Sequence, residues 1–329
     1  MATMRASVVL LAAIGLAAGA VPPPAAAQVY PSHPVTIVVP LAAGGPLDTL
    51  ARILAEPMRA ALGQPVIVEN VTGAGGTVGT GRVARAAADG YTIGMGFLGT
   101  HVLNGALYAL NYDVVKDFDP IALISSNPHV IVTRATLPPK DLRELIAWLK
   151  LNPDKASAAN AGVGTSTHVA GLLLQQAAGV RFQMVPYRGA APALQDVMSG
   201  QVDLMVDVAS NSLPYLQGGK IKAYAVTSAA RLGSAPAIPT VDEAGLPGFH
   251  ISTWYALFGP KGMPKDALAK LNAAAVAALA DPALARRLAD LALDVPPRDQ
   301  LTPDALAALQ RAEIEKWWPI IRAANIKPE

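Results

Sequence analysis

The chain has 329 residues, of which 52% are hydrophobic, 5% aromatic and 15% charged, with a formal net charge of +2 and no cysteine. So even a balance, with no cluster of Lys and Arg, argues against nucleic acid as a partner, because neutralising phosphates needs grouped cations. The missing cysteines exclude disulfides and a lipid-anchored start, and leave no evidence on redox compartment.

Residues 1–27 read as a secretory signal. Arg5 supplies the positive end, Val8 to Ala20 is almost wholly apolar, and Ala25-Ala26-Ala27 places small residues where cleavage is expected. That apolar run falls short of the roughly 20 residues of a membrane span, and Pro22, Pro23 and Pro24 follow it at once. Nothing later is long and apolar enough to span a bilayer, so the chain reads as not membrane-embedded.

Val35 to Val39 is a continuous β-branched run between Pro34 and Pro40, the pattern of a strand buried on both faces. Leu41-Ala42-Ala43-Gly44-Gly45 turns it into a helix with Pro46 at its first position and Asp48 in its first turn, where the dipole favours a carboxylate. Leu50, Ile53, Leu54, Met58 and Leu62 share one stripe of that helix, and Pro57 is expected to kink or restart it. Val66 to Val68 is a second strand, followed by the turn Gly73-Ala74-Gly75-Gly76, a helix around Val78 to Ala88 and a third strand at Tyr91 to Met95. Strand, helix, strand, helix, strand predicts a parallel α/β sheet.

Further strands are expected at Val130 to Thr133, Ala156 to Ala159, Met184 to Pro186, Val202 to Val206 and Ile221 to Val226. Between them lie helices over Pro139 to Leu151, Ser166 to Ala178 and Pro192 to Ser199. Asn160-Ala161-Gly162-Val163-Gly164-Thr165 forms a third glycine turn, and Tyr187-Arg188-Gly189-Ala190 another turn. Ser234 to Gly248 reads as a loop and Ser252 to Gly259 as a strand; helices beginning near Pro264, Pro282 and Pro303 complete the chain. In open α/β sheets ligands lie beyond the carboxyl ends of strands, which puts the turns and Asp207 on the functional edge. Three strand-to-helix glycine turns, with unpaired amides and helix dipoles, suit one acidic ligand without any Lys or Arg.

Other chemistries have partial matches. Gly94 to Gly99 fits G-x-G-x-x-G after a strand, yet no second strand ending in an acid follows at the dinucleotide spacing. Gly164-Thr165-Ser166-Thr167-His168 approaches a nucleophile elbow, for which a secreted serine hydrolase using Ser166 would need a separate histidine and acid on later loops, where only His250 could serve. The bland alternative makes Thr165 or Ser166 a helix cap. His33, His101, His129, His168 and His250 show no paired spacing, so no metal and no cofactor is expected.

Taken together, Val39-Pro40 to Gly44-Gly45 with Asp48, Gly63-Gln64-Pro65-Val66, Gly73 to Gly76, Asp89-Gly90-Tyr91-Thr92, Gly162 to His168, Val185-Pro186-Tyr187-Arg188-Gly189, Gly200-Gln201-Val202-Asp203 and Val241 to Gly245 stand in one order. In these the chain resembles the Bug family, the periplasmic solute-binding proteins of tripartite tricarboxylate transporters. The resemblance implies a type II periplasmic binding protein of α/β class: a monomer with two α/β domains closing on a ligand cleft. Residues 28–125 with 253–329 would form one domain and 126–252 the other, hinged near Ile121 to Ser126 and Ser252 to Phe258. It implies no catalysis, a small carboxylate as ligand, membrane permease subunits as partners, and a periplasmic location after cleavage near Ala27. A ligand-sensing receptor of the same fold would look alike in sequence.

The ligand-binding set expected from turns and resemblance is Leu41, Ala42, Ala43, Gly44, Gly45, Asp48, Ala74, Gly75, Gly76, Gly162, Gly164, Thr165, Ser166, His168, Tyr187, Gly189, Ala190 and Asp207. Leu41 replaces a usual aromatic, Pro46 and Leu47 usual hydroxyl residues, Thr167 a usual asparagine and Ala190 a usual serine. These departures imply a ligand gripped at one carboxylate and otherwise less polar than citrate or aspartate.

Overall fold

A computed structural model of the chain describes residues 30–323 except 154 and 217; the expected signal segment, residues 1–27, lies outside the described residues. In chain order the elements are β1 Val35–Val39, α1 Pro46–Leu62, β2 Val66–Asn70, α2 Thr77–Ala84, β3 Thr92–Phe97, α3 Asn104–Leu107, β4 Phe118–Arg134 and α4 Leu142–Leu151. There follow β5 Ser157–Asn160, α5 Ser166–Ala178, β6 Gln183–Pro186, α6 Ala190–Ser199, β7 Leu204–Val208, α7 Ala209–Leu216 and β8 Ile221–Val226. After a long loop come β9 Ser252–Pro260, α8 Lys265–Leu279, α9 Pro282–Asp290 and α10 Pro303–Ala323.

The strands run in the order β2-β1-β3-β9-β4-β7-β5-β6, with β8 also on β4. β1 pairs parallel with β2 and β3, and β5 parallel with β6 and β7, whereas β4 and β9 run antiparallel to their neighbours. β4 serves both ends of the sheet. Phe118 to Pro128 pair with β9, and from His129 onward the partners are β7 and β8. The partner changes between Pro128 and His129, and two α/β lobes result.

Each lobe buries both faces of its inner strands, while the edge strands β2 and β6 stay partly exposed. In β1, Val35, Ile37 and Val39 pack with Leu50, Leu54 and Met58 of α1 and Leu271 of α8, while Val38 joins Val83, Phe258 and Leu306 on the opposite face. In the second lobe Leu204 and Val206 of β7 meet α4 and α5, and Met205 meets Ala193, Leu194 and Val197 of α6. The 17-residue α1 runs unbroken through Pro57 rather than restarting. Its buried stripe of Leu50, Ile53, Leu54 and Met58 outweighs the loss of one backbone hydrogen bond.

Three features differ from the sequence reading. β4 is one 17-residue strand rather than a short strand at Val130 to Thr133. Pro128 is accommodated because it ends the pairing with β9, where a missing N–H breaks no continuing ladder. Gly99–Leu103 is a π-helical turn leading into α3, and α7 is a helix that the polar stretch Ala-Ser-Asn-Ser with Pro214 does not advertise. Burial places both: every residue from Gly99 to Leu103 is buried, with Gln310 of α10 donating to the His101 carbonyl, and Ala209 to Leu213 of α7 are buried as well.

Phe258 sits at the centre of the first lobe, fully buried, stacked on His101 at 3.8 Å between centroids and edge-on to Phe118. Phe258→Ala is expected to lower the free energy of unfolding by about 3–5 kcal/mol, measurable as a reduced urea midpoint with unchanged slope.

Candidate functional site

A cavity of ≈ 420 Å³, its mouth included, lies between the lobes at the carboxyl ends of the strands. The first lobe lines it with Leu41, Ala42, Gly45, Pro46 and Leu47 after β1, Phe97 at the end of β3 and Tyr255 of β9. Ala161, Thr165, Ser166, Thr167, Ala190 and Val208 line it from the second lobe. The lobes touch around it: Ala42 N–H donates to the Arg188 carbonyl at 3.2 Å, and the Tyr108 hydroxyl to the Val163 carbonyl at 2.8 Å.

Three helices begin at this wall: Pro46 starts α1, Ser166 starts α5 and Ala190 starts α6, whereas α7, which follows Val208, has its Ser210 N–H held by Asn127 Oδ1 at 3.4 Å. The first amides of a helix have no acceptor within it, and the dipole places partial positive charge there. No lining side chain is charged, and most are apolar. The wall therefore attracts an anion through backbone alone, in surroundings of low dielectric that strengthen the effect.

Each turn is shaped by its own residues. Gly45 is extended ahead of Pro46, and Asp48 Oδ2 accepts from Gly44 N–H at 2.9 Å, pinning the β1–α1 turn. Burial alone would raise the Asp48 carboxyl, but Arg52, the Gly44 amide and Asn70 together hold it below the usual carboxylate range. Thr165 caps α5, accepting from His168 N–H, while its own hydroxyl donates to the Gly162 carbonyl at 2.6 Å. Gly189, at φ +150°, lets the β6–α6 turn lie against Ala42.

Of the residues singled out in sequence, Leu41, Ala42, Gly45, Thr165, Ser166 and Ala190 line the cavity. The others do not. Ala43 and Gly44 are exposed at the tip of their turn, and Asp48 faces Gly44 and Arg52 instead of the cleft. Ala74 is exposed; Gly75 backs onto the Val163 carbonyl of the other lobe, and Gly76 packs on Pro40 and Thr100. Gly162 and Gly164 build the β5–α5 turn, and His168 Nδ1 accepts from Gly164 N–H at 3.4 Å, with burial holding that imidazole down at about 4. Tyr187 turns away and donates to Asp196 at 2.6 Å.

Asp207 lies behind Val208, fully buried, and accepts from Asn211 Nδ2 at 2.7 Å and Ser212 Oγ at 2.6 Å. It braces the start of α7. Burial pushes its carboxyl up to about 7, with Ser212, Asn211 and the Val208 amide opposing. Phe97, Val208 and Tyr255 also line the cavity and were not expected from sequence, because strand ends and long-range pairing, not turn chemistry, bring them there. The Tyr255 hydroxyl meets Asn127 Nδ2 at 3.4 Å, and no described residue accepts its proton.

The alternative chemistries look different in three dimensions. Gly94, Gly96 and Gly99 are packed against Val83, His101 with Phe258, and Phe97, so they make room for side chains and form no phosphate cradle. Ser166 does have a histidine, but it is His129, with Oγ to Nε2 at 3.1 Å; His250 is exposed and pairs with Asp242. His129 Nδ1 faces the Ile251 carbonyl at 3.4 Å, with no carboxylate to orient the ring or stabilise its protonated form.

Residues 50–326 match the family model described as "Tripartite tricarboxylate transporter family receptor". The chain belongs to this family. A protein of Agrobacterium vitis, encoded in the TAR-I ttuE-ttuC′ intergenic region, is 41% identical over 90% of this chain and 86% of its own. The periplasmic binding protein BugD superposes with a TM-score of 0.87 at 42% identity, covering 91% of this chain and all of BugD. MatC of Rhodopseudomonas palustris, solved with bound malate, superposes at 0.86 with 43% identity over 89% of this chain and all of MatC. The fold is that of the type II periplasmic solute-binding proteins.

Asp207 gives the stability of the fold a pH signature. Below about pH 4 the carboxyl is protonated in folded and unfolded chains alike; from there to about pH 7 the unfolded chain ionises while the folded one keeps its proton. Stability is therefore expected to fall as pH rises through that window and to level off above it. Urea unfolding of Asp207→Asn across pH 4–8 should lack that part of the slope.

Proposed function

We propose that this chain is an exported, non-enzymatic receptor that captures a small organic carboxylate between two domains and delivers it to a tripartite tricarboxylate-type permease. The domains are residues 28–125 with 253–329, and 126–252; the exchange of β4 partners at Pro128 and His129 supports a boundary there. Periplasmic release of the mature chain follows cleavage of the signal near Ala27.

The observation that carries the reading is the convergence of three helix N-termini, those of α1, α5 and α6, on a cavity without a charged side chain. A carboxylate accepts several hydrogen bonds from such amides, and its charge complements their dipoles. The malate bound to MatC is a ligand of this class. The apolar remainder of the wall, Leu41, Leu47, Phe97 and Val208, favours a ligand with few further polar groups. A Ser166 hydrolase is disfavoured by the absence of a carboxylate behind His129.

Thermal unfolding with mono-, di- and tricarboxylates, amino acids and aromatic acids tests the reading. A ligand at one hundred times its dissociation constant adds about 2.7 kcal/mol of stability, and the shift should appear with dicarboxylates and vanish with their neutral dimethyl esters. Equal shifts from acid and ester would refute an anion seat.

A further inference from the structure

Ser166 stands on the cleft wall at the start of α5, 4% exposed. Its Oγ lies 3.1 Å from Nε2 of the fully buried His129. The other ring nitrogen, Nδ1, looks at the Ile251 carbonyl. Burial keeps the imidazole neutral down to about pH 4, so the ring carries one proton. A carbonyl oxygen only accepts, so the proton is satisfied on Nδ1 and would leave Nδ1 facing a second lone pair if it sat on Nε2. Nε2 is then an acceptor, and the single hydroxyl proton of Ser166 goes to it. What Ser166 turns toward the cleft is a lone pair.

The neighbouring hydroxyls do not take this role. Thr165 donates to the Gly162 carbonyl, and Thr167 Oγ1 accepts from Ala161 N–H at 2.9 Å and meets Thr165 Oγ1 at 3.0 Å. Beside the Tyr255 hydroxyl, which accepts from Asn127, a wall of amide donors thus holds a side-chain acceptor whose direction is set from behind by His129. A carboxylate oxygen placed there meets a lone pair; a ligand hydroxyl donates to it.

We infer that Ser166, oriented by His129, is the group that selects hydroxyl-bearing dicarboxylates over their deoxy counterparts. The inference rests on the carboxylate reading and names a narrower substrate class for the same cleft. His129 acts as a positioning residue, without touching the ligand.

Calorimetric titration of the protein with malate and with succinate, which differ by one hydroxyl, is the test. Malate is expected to bind on the order of tenfold tighter than succinate, the scale of one satisfied hydrogen bond in a buried site. Ser166→Ala should bring malate down to the succinate level, so that the ratio of the two affinities falls to about one. His129→Phe, which keeps Ser166 but frees its proton, should also erase the preference; a merely structural histidine would weaken both ligands together. Equal wild-type affinity for the two acids, or a preference that survives Ser166→Ala, overturns the inference and leaves carboxylate capture standing. Failure of both acids to bind also overturns the inference, while the carboxylate reading itself falls only if the wider acid panel gives no thermal shift.

Discussion

The amides that open a helix have no carbonyl behind them in the same helix, and the architecture of this protein follows from where it points them. β1, β5 and β6 end on one edge, and the helices that follow start there, so α1, α5 and α6 present their first N–H groups to a shared space. Were that space filled with water, the dipoles would be screened. Leu41, Leu47, Phe97, Val208 and the alanines around it keep it apolar, and partial charges act over it more strongly. The apolar lining and the anion affinity are thus two aspects of one design.

β4 is the second element on which the arrangement depends. A single strand is hydrogen-bonded to β9 over its first part and to β7 and β8 over its last, so the lobes share a backbone ladder as well as the cleft. At the crossing sit Asn127, which meets Ser210 and Tyr255, and His129, which meets Ser166. Both reach toward groups at the cleft. The strand that joins the lobes therefore also supplies the second layer of polar contacts behind the cavity wall.

Much of this was legible in the sequence where the signal is local. The β1 run between two prolines, the glycine turn into α1 and the bounds of α5 at Ser166–Ala178 follow from hydrophobic pattern and turn chemistry. Leu41, Ala42, Gly45 and Ser166 were legible as cavity residues for the same reason. Residues such as Asp48, Tyr187 and Asp207 have the chemistry of ligand contacts, but each is engaged by a group on the nearest helix: Arg52, Asp196 and Asn211. Sequence shows that a carboxylate stands near a turn and does not show which way it faces. Tyr255 and His129 carry no local signal at all, since long-range strand pairing brings them to the wall.

A seat made of backbone has an unusual relation to mutation. Replacing a side chain around the cavity leaves the amide behind it in place, so the grip on a carboxylate persists while the surrounding shape drifts. Among substitutions, proline alone deletes the donor itself, and Pro46 has done so at the first position of α1. A lineage built on this cleft can accordingly trade one acid for another through Leu41, Leu47 or Ser166 without passing through a form that binds none. Diversification of acid uptake in such receptors is a matter of repainting the walls around a fixture that the genetic code can scarcely reach.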